Sequence, residues 1–238
     1  MNVLVTSGGT IEKIDNVRSI SNMSTGKLGS TIADSFLSTP KIDKVFYICT
    51  KTTVLPTFEN AEIIYANSVA DLEDAIRELL SHTQIDIIIH CMAVSDYTVK
   101  SVTTLSALLE KSANSESNAN EKINFDSNAN TGGKISSELD DMVLLMERTP
   151  KIISLFQKLS PKSTLVGFKL LDNVPLETLI DKGFGVLTKN KCSFVLANDL
   201  KDITKDGHIG YLIDKDKNFT KYKTKAEIAD AIVSATIQ

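Results

Sequence analysis

The residues best suited to chemistry in this chain follow the ends of short apolar runs. The first run ends in Thr6-Ser7-Gly8-Gly9-Thr10, so two glycines directly follow a predicted strand. Glycines in such a turn let backbone N–H groups approach a bound anionic or polar ligand. The segment is neither a GxGxxG fingerprint nor a Walker P-loop, because no Gly-Lys-Ser/Thr follows at the required distance. A ligand-binding turn and a plain tight turn are both open interpretations of Gly8 and Gly9.

Residues 14–29 are dense in hydrogen-bonding groups and lead into a predicted helix, which we expect to be capped near Ser24. Asn22 lies at the mouth of that helix, where a side-chain amide can donate a hydrogen bond to a developing oxyanion. The alternative is that Asn22 only caps the helix or closes a loop.

The run His90-Cys91-Met92-Ala93-Val94-Ser95-Asp96 ends a further predicted strand. In an open parallel sheet, ligands bind outside the carboxyl ends of the strands, so Asp96 is placed to hold a sugar hydroxyl, a base or a metal. His90 lies inside the apolar run and is expected to be a hydrogen-bonded core histidine. Because His82 and His208 are far from it in the sequence, the pattern favours neither a His-based triad nor a histidine metal site. Metal ligands therefore stay unknown.

Three lysines accompany predicted elements near the expected ligand edge: Lys134 after a glycine pair, Lys169 at the end of a strand, and Lys189 before the next strand. A single lysine is most often a solvated surface charge, but three together favour a polyphosphate site. Pro150 stands in the first turn of a predicted helix, where its missing N–H costs nothing.

These residues need a sheet that brings strand ends together. Apolar runs predict strands at 2–6, 44–50, 62–66, 86–94, 164–168 and 193–197, which alternate with helical patterns. The alternation predicts an α/β fold, a Rossmann-like and mostly parallel sheet with helices on both faces. Turn residues around a strand at 210–213 predict a small antiparallel extension. We expect one domain over residues 1–238.

One segment departs from this pattern. Residues 112–131 include six asparagines and four serines and almost no aliphatic side chains. Such a composition buries too little apolar surface to offset its ordering entropy, so the sequence predicts a disordered stretch. A flap over a site and a loop without a role are both open interpretations.

The overall composition restricts the possible partners. The chain has 238 residues and a formal charge of −4, which argues against a dedicated duplex-DNA binder but not against a small anionic ligand. No apolar run approaches the roughly 18–20 residues that span a bilayer. The three separated cysteines, Cys49, Cys91 and Cys192, form no disulfide or zinc spacing and are expected to be buried thiols in a reducing cytoplasm.

Together these segments resemble the phosphopantothenoylcysteine synthetase family, also called phosphopantothenate–cysteine ligase, in its free-standing bacterial form. From Ser7 to Leu200, the resemblance is carried in order by SGGTIEKIDNVRSISNMSTGKLG, MAVSDY, GGKISS, TPKII, VGFKL and LANDL. It implies a homodimeric ligase of coenzyme A biosynthesis that joins 4′-phosphopantothenate and L-cysteine through an acyl-nucleotide. Bacterial members use CTP with Mg²⁺ and release pyrophosphate and CMP, whereas eukaryotic members use ATP. The sequence itself does not decide between the two nucleotides.

The resemblance also implies roles for individual residues. Asn22 would hold the acyl-nucleotide and its oxyanion, and Lys134 would close over the triphosphate; these two are the expected catalytic residues. Substrate binding is expected at Arg18, Asn22, Ala93 and Val94. Nucleotide binding is expected at Gly8, Gly9, Met92, Asp96, Lys134, Pro150, Ile153, Phe168 and Lys189.

The chain departs from the family pattern on the helix after GFK, where it reads Lys182-Gly183-Phe184-Gly185. Two glycines there are expected to weaken the helix by roughly 1 kcal/mol each relative to alanine. Whether Lys182 replaces the family's second basic contact stays open.

Two other functions share part of this pattern. Asparaginase-type amidohydrolases also follow a first strand with Gly-Gly-Thr-Ile, as in Gly8-Gly9-Thr10-Ile11, but no second Gly-Thr-Asp motif occurs here. A non-catalytic nucleotide-binding module would use the same turn without giving Asn22 or Lys134 a role. Release of pyrophosphate distinguishes the ligase from both.

Overall fold

Eight strands form one central sheet in the computed structural model, which describes residues 1–114, 133–135, 141–204 and 207–237. The elements are, in chain order, β1 (Asn2–Ser7), β2 (Ile11–Lys13), β3 (Ser19–Ser21), α1 (Lys27–Leu37), β4 (Lys44–Cys49), β5 (Ala61–Tyr65), α2 (Val69–His82), β6 (Ile87–His90), β7 (Tyr97–Thr104), α3 (Leu105–Asn114), β8 (Met142–Arg148), α4 (Ile153–Leu159), β9 (Thr164–Leu171), α5 (Leu176–Asn190), β10 (Phe194–Asp199), β11 (Gly210–Ile213), β12 (Phe219–Tyr222) and α6 (Lys225–Thr236).

The sheet order is β12-β11-β10-β9-β6-β1-β4-β5. The six strands from β10 to β5 are parallel, and β11 and β12 are antiparallel additions at one edge. Apolar side chains cover both faces: α2, α4 and α5 pack on one face, and α1 and α6 pack on the other. The predicted α/β fold, its mostly parallel sheet and its antiparallel extension are therefore confirmed.

The strand predicted at 86–94 ends earlier than expected. Its ladder stops at His90, and Ala93 forms only an isolated bridge with Gly9. The N–H of Ala93 donates to Gly8 O at 2.8 Å, and the N–H of Thr10 donates to Ala93 O at 3.1 Å. The regular ladder is thus interrupted where Gly8 takes a left-handed φ of 88°, and the segment after β6 stays hydrogen-bonded to the turn after β1.

The cap expected near Ser24 is also wrong. Helix α1 begins at Lys27, and its N-cap is Gly26, whose φ of 74° is left-handed. The Ser24 N–H instead donates to Asn22 O at 3.0 Å within the preceding turn.

Two small antiparallel pairs, β2–β3 and β7–β8, lie outside the central sheet and were not predicted from the sequence. The predicted flap at 112–131 lies outside the described residues, apart from 112–114, which end α3 as helix rather than as a disordered stretch.

The expected core residues are largely in place. Cys49 and Cys192 are buried and Cys91 is half-buried, and burial raises the pKa of their thiols to about 11 for Cys49 and about 12 for the other two. His90 is buried, shares a hydrogen bond of 2.8 Å with Thr6 Oγ1 and packs edge-on against Phe156, as a core histidine should. Across the described ranges, no helix is long and apolar enough to cross a bilayer.

Candidate active site

The turn after β1 forms the floor of the candidate site at the carboxyl edge of the sheet. Gly8 has a φ of +88°, which side chains rarely adopt. A Cβ on Gly9 would lie 2.2 Å from the carbonyl oxygen of Asn22. The glycines therefore let the segment that carries Asn22 lie directly against the strand end.

Asn22 is anchored on this floor through its main chain and its side chain. Its N–H donates to Thr10 O at 3.3 Å, and its Nδ2 donates to Ala93 O at 3.1 Å. An amide nitrogen carries two hydrogens, and the described residues accept only one of them. The side chain is exposed, so the second N–H is available to a ligand at this edge.

Asp96 and the segment at 149–153 meet beside this floor. Thr149 donates its hydroxyl to Ser95 O at 2.6 Å and its N–H to Asp96 O at 3.1 Å. The carboxylate of Asp96 pairs with Lys151, and both side chains are 64% exposed. Because this ion pair is open to solvent, a bound ligand can compete for either partner.

Apolar residues line the same side. Met92 is buried among the residues that α2 and α4 cover, and Val94 and Ile153 pack against that cluster. Ile153 also approaches Gly167, where an added Cβ would lie 3.2 Å from its Cδ1. Met92, Val94 and Ile153 thus belong to one apolar cluster, and the chain segment that contains Pro150 is joined to Ser95 and Asp96 through Thr149.

The loop between β2 and β3 holds the residue after Lys134. Arg18 Nη2 donates to Ile135 O at 2.8 Å, and the N–H of Ile135 donates to Asp15 Oδ2 at 3.1 Å. The side chain of Lys134 is exposed. Arg18 itself is bound by Asp15, with Nη2 at 2.6 Å from Oδ2, so it orients a loop in this structure.

A second group lies on the face that α1 and α6 cover. Phe168 packs there, opposite Leu196 in the parallel ladder, and is on the other face of the sheet from Ile153. Asn198 Nδ2 lies 3.3 Å from Nε2 of the buried His208. Burial, and then the nearby charge of Lys225, lower the pKa of His208 to about 4.

Lysines begin the two helices on this face. Burial, followed by the charge of Lys27, lowers the pKa of Lys225. Within the described ranges, neither ammonium group has a carboxylate partner within ion-pair distance. The positive charge of this edge and the start of α1 beside Gly8 both favour an anionic ligand.

Lys189 is not brought to this edge. It is exposed in the last turn of α5, a fifteen-residue helix that returns from the carboxyl end of β9 to the amino end of β10. At 1.5 Å per residue, Lys189 lies about 20 Å along the helix from its start. Lys169 and Lys182 lie nearer the edge, the first late in β9 and the second in the first half of α5.

Three acidic residues that the sequence did not single out organise the loops of the site. Asp15 holds Arg18 and Ile135, and Glu12 accepts from Val69 N at 2.9 Å and from Thr98 Oγ1 at 2.7 Å. Asp199 accepts the N–H groups of Asn173, Val174 and Lys201. Burial raises the pKa of Asp199, but these donors outweigh it and bring the value to about 2. The side chain of Asp15 accepts the N–H groups of Val17 and Arg18, two and three residues later, and so forms an Asx-turn. An aspartate in a turn is the local sequence signal that could have pointed to it.

Among the residues that the structure describes, the side-chain donors of the site form no protein metal centre. In the part of the chain that the structure describes, no three His, Cys, Asp or Glu side chains are close enough together to hold a metal ion.

Comparison with known proteins decides the family. The sequence profile of the family described as "DNA/pantothenate metabolism flavoprotein C-terminal domain" matches residues 1–128 and 123–238. The chain belongs to this family. The match confirms the resemblance seen in the motifs, because this family includes the synthetase part of CoaBC proteins.

Members of the family are similar to the chain along nearly its whole length. The coenzyme A biosynthesis bifunctional protein CoaBC of Methanocaldococcus jannaschii is 29% identical over 234 residues, which cover 97% of this chain and 49% of that protein. The chain thus spans about half the length of the curated relatives that it matches.

Solved structures share the fold. The DNA/pantothenate metabolism flavoprotein from Streptococcus pneumoniae superposes with a TM-score of 0.84 at 38% identity, over 98% of this chain and 97% of that one. A mutant of Cab2 in complex with phosphopantothenate-cysteine gives a TM-score of 0.72 at 15% identity, over 99% and 85% of the two chains. The second likeness shows the fold alone.

Proposed function

We propose that this chain is a phosphopantothenate–cysteine ligase of coenzyme A biosynthesis, and that CTP activates its carboxylate substrate. The observation that carries the proposal is the anchored amide of Asn22, which keeps one N–H available above the Gly8-Gly9 floor. A fixed donor at this edge suits a reaction in which an oxyanion develops. The names of the CoaBC relatives, which are coenzyme A biosynthesis proteins, support the same assignment.

The first step activates the carboxylate. One carboxylate oxygen of 4′-phosphopantothenate attacks the α-phosphorus of CTP, a new P–O bond forms, and the bond to the bridging oxygen breaks to release pyrophosphate. The attack needs alignment and neutralisation of negative charge rather than a protein nucleophile. Lys134 supplies positive charge from the segment that Asp15 and Arg18 hold, and the exposed Asp96–Lys151 pair lies on the nucleotide side.

The second step forms the amide. The cysteine nitrogen attacks the acyl carbon of acyl-CMP, and the carbonyl oxygen becomes an oxyanion. Asn22 donates its second N–H to that oxygen. The C–O bond to the nucleotide then breaks, CMP leaves, and the nitrogen loses a proton to solvent. Ala93 lies beside Asn22, because its backbone hydrogen-bonds to both Asn22 and the strand-end turn, and we propose that Ala93 and the following Val94 line the substrate there.

Magnesium belongs to the nucleotide in this proposal. Mg²⁺ prefers phosphate oxygens and water with few protein ligands, so it would enter as the CTP complex and neutralise part of its charge. Of the carboxylates at this edge, Asp96 would be the one suited to bind the ion. Its ion pair with Lys151 would first have to break.

Three wider features complete the proposal. We infer that residues 1–238 act as one domain, that two copies form the active assembly, and that the ligase works in the cytoplasm. The free thiols, two of them buried and that of Cys91 half-buried, fit a reducing compartment.

Formation of the amide tests the proposal. The purified chain is incubated with 4′-phosphopantothenate, L-cysteine, MgCl₂ and CTP or ATP, and the products are identified by mass spectrometry. We expect the amide product only when all substrates are present, together with one nucleoside monophosphate per amide. Nucleotide binding without any amide would support the non-catalytic module, and ammonia released from asparagine would support the amidohydrolase.

A further inference from the structure

The tip of the β2–β3 hairpin carries a buried carboxylate that is saturated with donors. The side chain of Asp15 is 1% exposed. Its Oδ1 accepts the N–H groups of Val17 and Arg18 at 2.8 and 2.7 Å. Its Oδ2 accepts Arg18 Nε at 3.0 Å, Arg18 Nη2 at 2.6 Å and the N–H of Ile135 at 3.1 Å. One carboxylate therefore joins the hairpin tip to a segment 120 residues further along the chain.

Both polar main-chain groups of Ile135 are bound at this point. Asp15 accepts its N–H, and Arg18 Nη2 donates to its carbonyl oxygen at 2.8 Å. Because consecutive Cα atoms are about 3.8 Å apart, fixing Ile135 also fixes the backbone from which the Lys134 side chain projects. The same hairpin carries Asn22 directly after β3, so one element sets the positions of both expected catalytic residues.

We propose that Asp15 is a positioning residue that acts through Lys134. The Asp15–Arg18 pair, which we call the latch, holds the main chain at Ile135 so that the ammonium group of Lys134 is presented to the triphosphate. The role of Lys134 rests on the proposed function, whereas the latch itself rests on the contacts of Asp15 and Arg18.

The latch requires a carboxylate and not merely a polar side chain. Each group that hydrogen-bonds to the Asp15 carboxylate is an N–H donor, and both oxygens accept. If asparagine replaced Asp15, its NH₂ group would face N–H donors whichever way the amide was turned. The Arg18 guanidinium, and then the main-chain N–H of Val17, hold the pKa of Asp15 well below its usual range. The latch thus stays charged throughout the neutral pH range.

The test combines exchange at Ile135 with kinetics. Hydrogen exchange measured by mass spectrometry follows the Ile135 amide in the full chain, in Asp15→Asn and in Asp15→Glu. Glu12→Gln is the matched control, because it removes a buried carboxylate of the same hairpin that contacts Val69 and Thr98 instead. We expect faster exchange at Ile135 in Asp15→Asn, partial recovery in Asp15→Glu and no change in Glu12→Gln.

Kinetics then separate positioning from a general structural role. Asp15→Asn should slow pyrophosphate release roughly tenfold to a hundredfold, the range expected when a group is misplaced by about 1 Å. In a Lys134→Gln background the same substitution should cost less than about twofold, because the residue it positions is already absent. The effect of Glu12→Gln on pyrophosphate release should be the same in the unmodified chain and in the Lys134→Gln variant.

Two results would overturn the inference. One is an unchanged exchange rate at Ile135 in Asp15→Asn. The other is a double variant whose fold loss in pyrophosphate release equals the product of the losses in Asp15→Asn and Lys134→Gln. If the unmodified chain releases no pyrophosphate, the proposed function fails, and exchange at Ile135 alone decides whether the latch exists.

Discussion

Asn22 shows how local bonding prepares a side chain for chemistry. Its amide is held by Ala93 on one side and its main chain by Thr10, so the free N–H has a fixed direction before a ligand arrives. Preorganised donors are effective because they need no reorganisation when charge develops. The side chain is therefore expected to act mainly in the step that forms an oxyanion on the acyl carbon.

Replacement of Asn22 tests that role. Asn22→Asp keeps the size of the side chain but replaces the NH₂ donor with a carboxylate that repels both Ala93 O and an oxyanion. We expect amide formation to fall about 10²–10³-fold while acyl-nucleotide accumulates, measured by quenched-flow mass spectrometry. Ser21→Ala, one residue away on β3, is the control. Undiminished amide formation in Asn22→Asp would remove Asn22 from the mechanism.

Lys134 should matter in the other half of the reaction. Lys134→Gln keeps the length of the side chain approximately but removes its charge, so the triphosphate loses neutralisation as pyrophosphate departs. We expect a strong fall in pyrophosphate release, measured with a coupled phosphate assay. Lys162→Gln, an exposed lysine before β9, serves as the control. A Lys134→Gln rate close to that of the unmodified chain would show that this lysine has no part in the first step.

The two buried histidines make stability depend on pH. Burial lowers the pKa of His90 to about 4, and burial with the charge of Lys225 does the same for His208, from an ordinary value of 6.5. Below pH 6.5 the unfolded chain binds protons that the folded chain does not, so the free energy of unfolding falls as the pH drops toward 4. At pH 5 the loss is about 2 kcal/mol for each histidine.

Urea unfolding at pH 7, 6 and 5 measures this loss. Above pH 5, Asp199, whose pKa is lowered, is ionised in both states and adds little to the slope. His208→Gln should remove about half of the pH dependence. A free energy of unfolding that stays constant from pH 7 to pH 5 would contradict neutral, buried histidines.

The strands of the fold differ in how well the sequence predicts them. The strands of the parallel core were predicted because their apolar runs are buried on both faces, as at β1, β4 and β6. The pair β7–β8 was missed because its strands are separated by residues 105–141 and share no local turn signal. The three-residue strands β2 and β3 are too short and polar for a pattern to stand out.

Placement of the site residues follows the same logic. The sequence indicated Gly8, Asn22, Ala93 and Asp96 because each follows a strand or leads into a helix at the ligand edge. It misplaced Lys189, since a lysine near a strand can lie at either edge and only the direction of α5 decides which. Asp15 was missed because its partner Ile135 is 120 residues away in the chain.

The two glycines of α5 differ in the space available for a side chain. A Cβ on Gly183 would lie 2.6 Å from Ile213 Cδ1 and 3.1 Å from Ala197 Cβ, whereas a Cβ on Gly185 meets nothing within 4 Å. Gly185→Ala should therefore raise the free energy of unfolding by about 0.5–1 kcal/mol. Gly183→Ala should lower it by up to about 2 kcal/mol, because an overpacking cost of about 1–3 kcal/mol outweighs a gain of about 0.5–1 kcal/mol in helix propensity.

Urea unfolding of the two matched variants checks this difference, and equal stabilisation by both would contradict the packing of α5 against β10 and β11. The expectation that both glycines merely weaken the helix is thus corrected for Gly183, whose missing side chain permits close contact with the sheet.

The β7–β8 pair bears on the assembly of the whole molecule. A two-stranded sheet is marginally stable alone, and this one carries the exposed Tyr97 and Met142 at the starts of its strands and is followed by the exposed Leu105. We expect these side chains to be covered in the proposed homodimer. Light scattering should give twice the chain mass of 26.0 kDa, and Tyr97→Lys should shift the protein toward the monomer. A fully active monomer would contradict the proposed assembly.

Pyrophosphate release is the most direct test of ligase activity in the whole molecule. The purified chain is given CTP or ATP with MgCl₂, with and without 4′-phosphopantothenate, and with and without L-cysteine. We expect release that requires phosphopantothenate, begins without cysteine as the acyl-nucleotide forms, and is faster with CTP than with ATP. No release with either nucleotide, or release that is independent of phosphopantothenate, would contradict the proposed ligase activity.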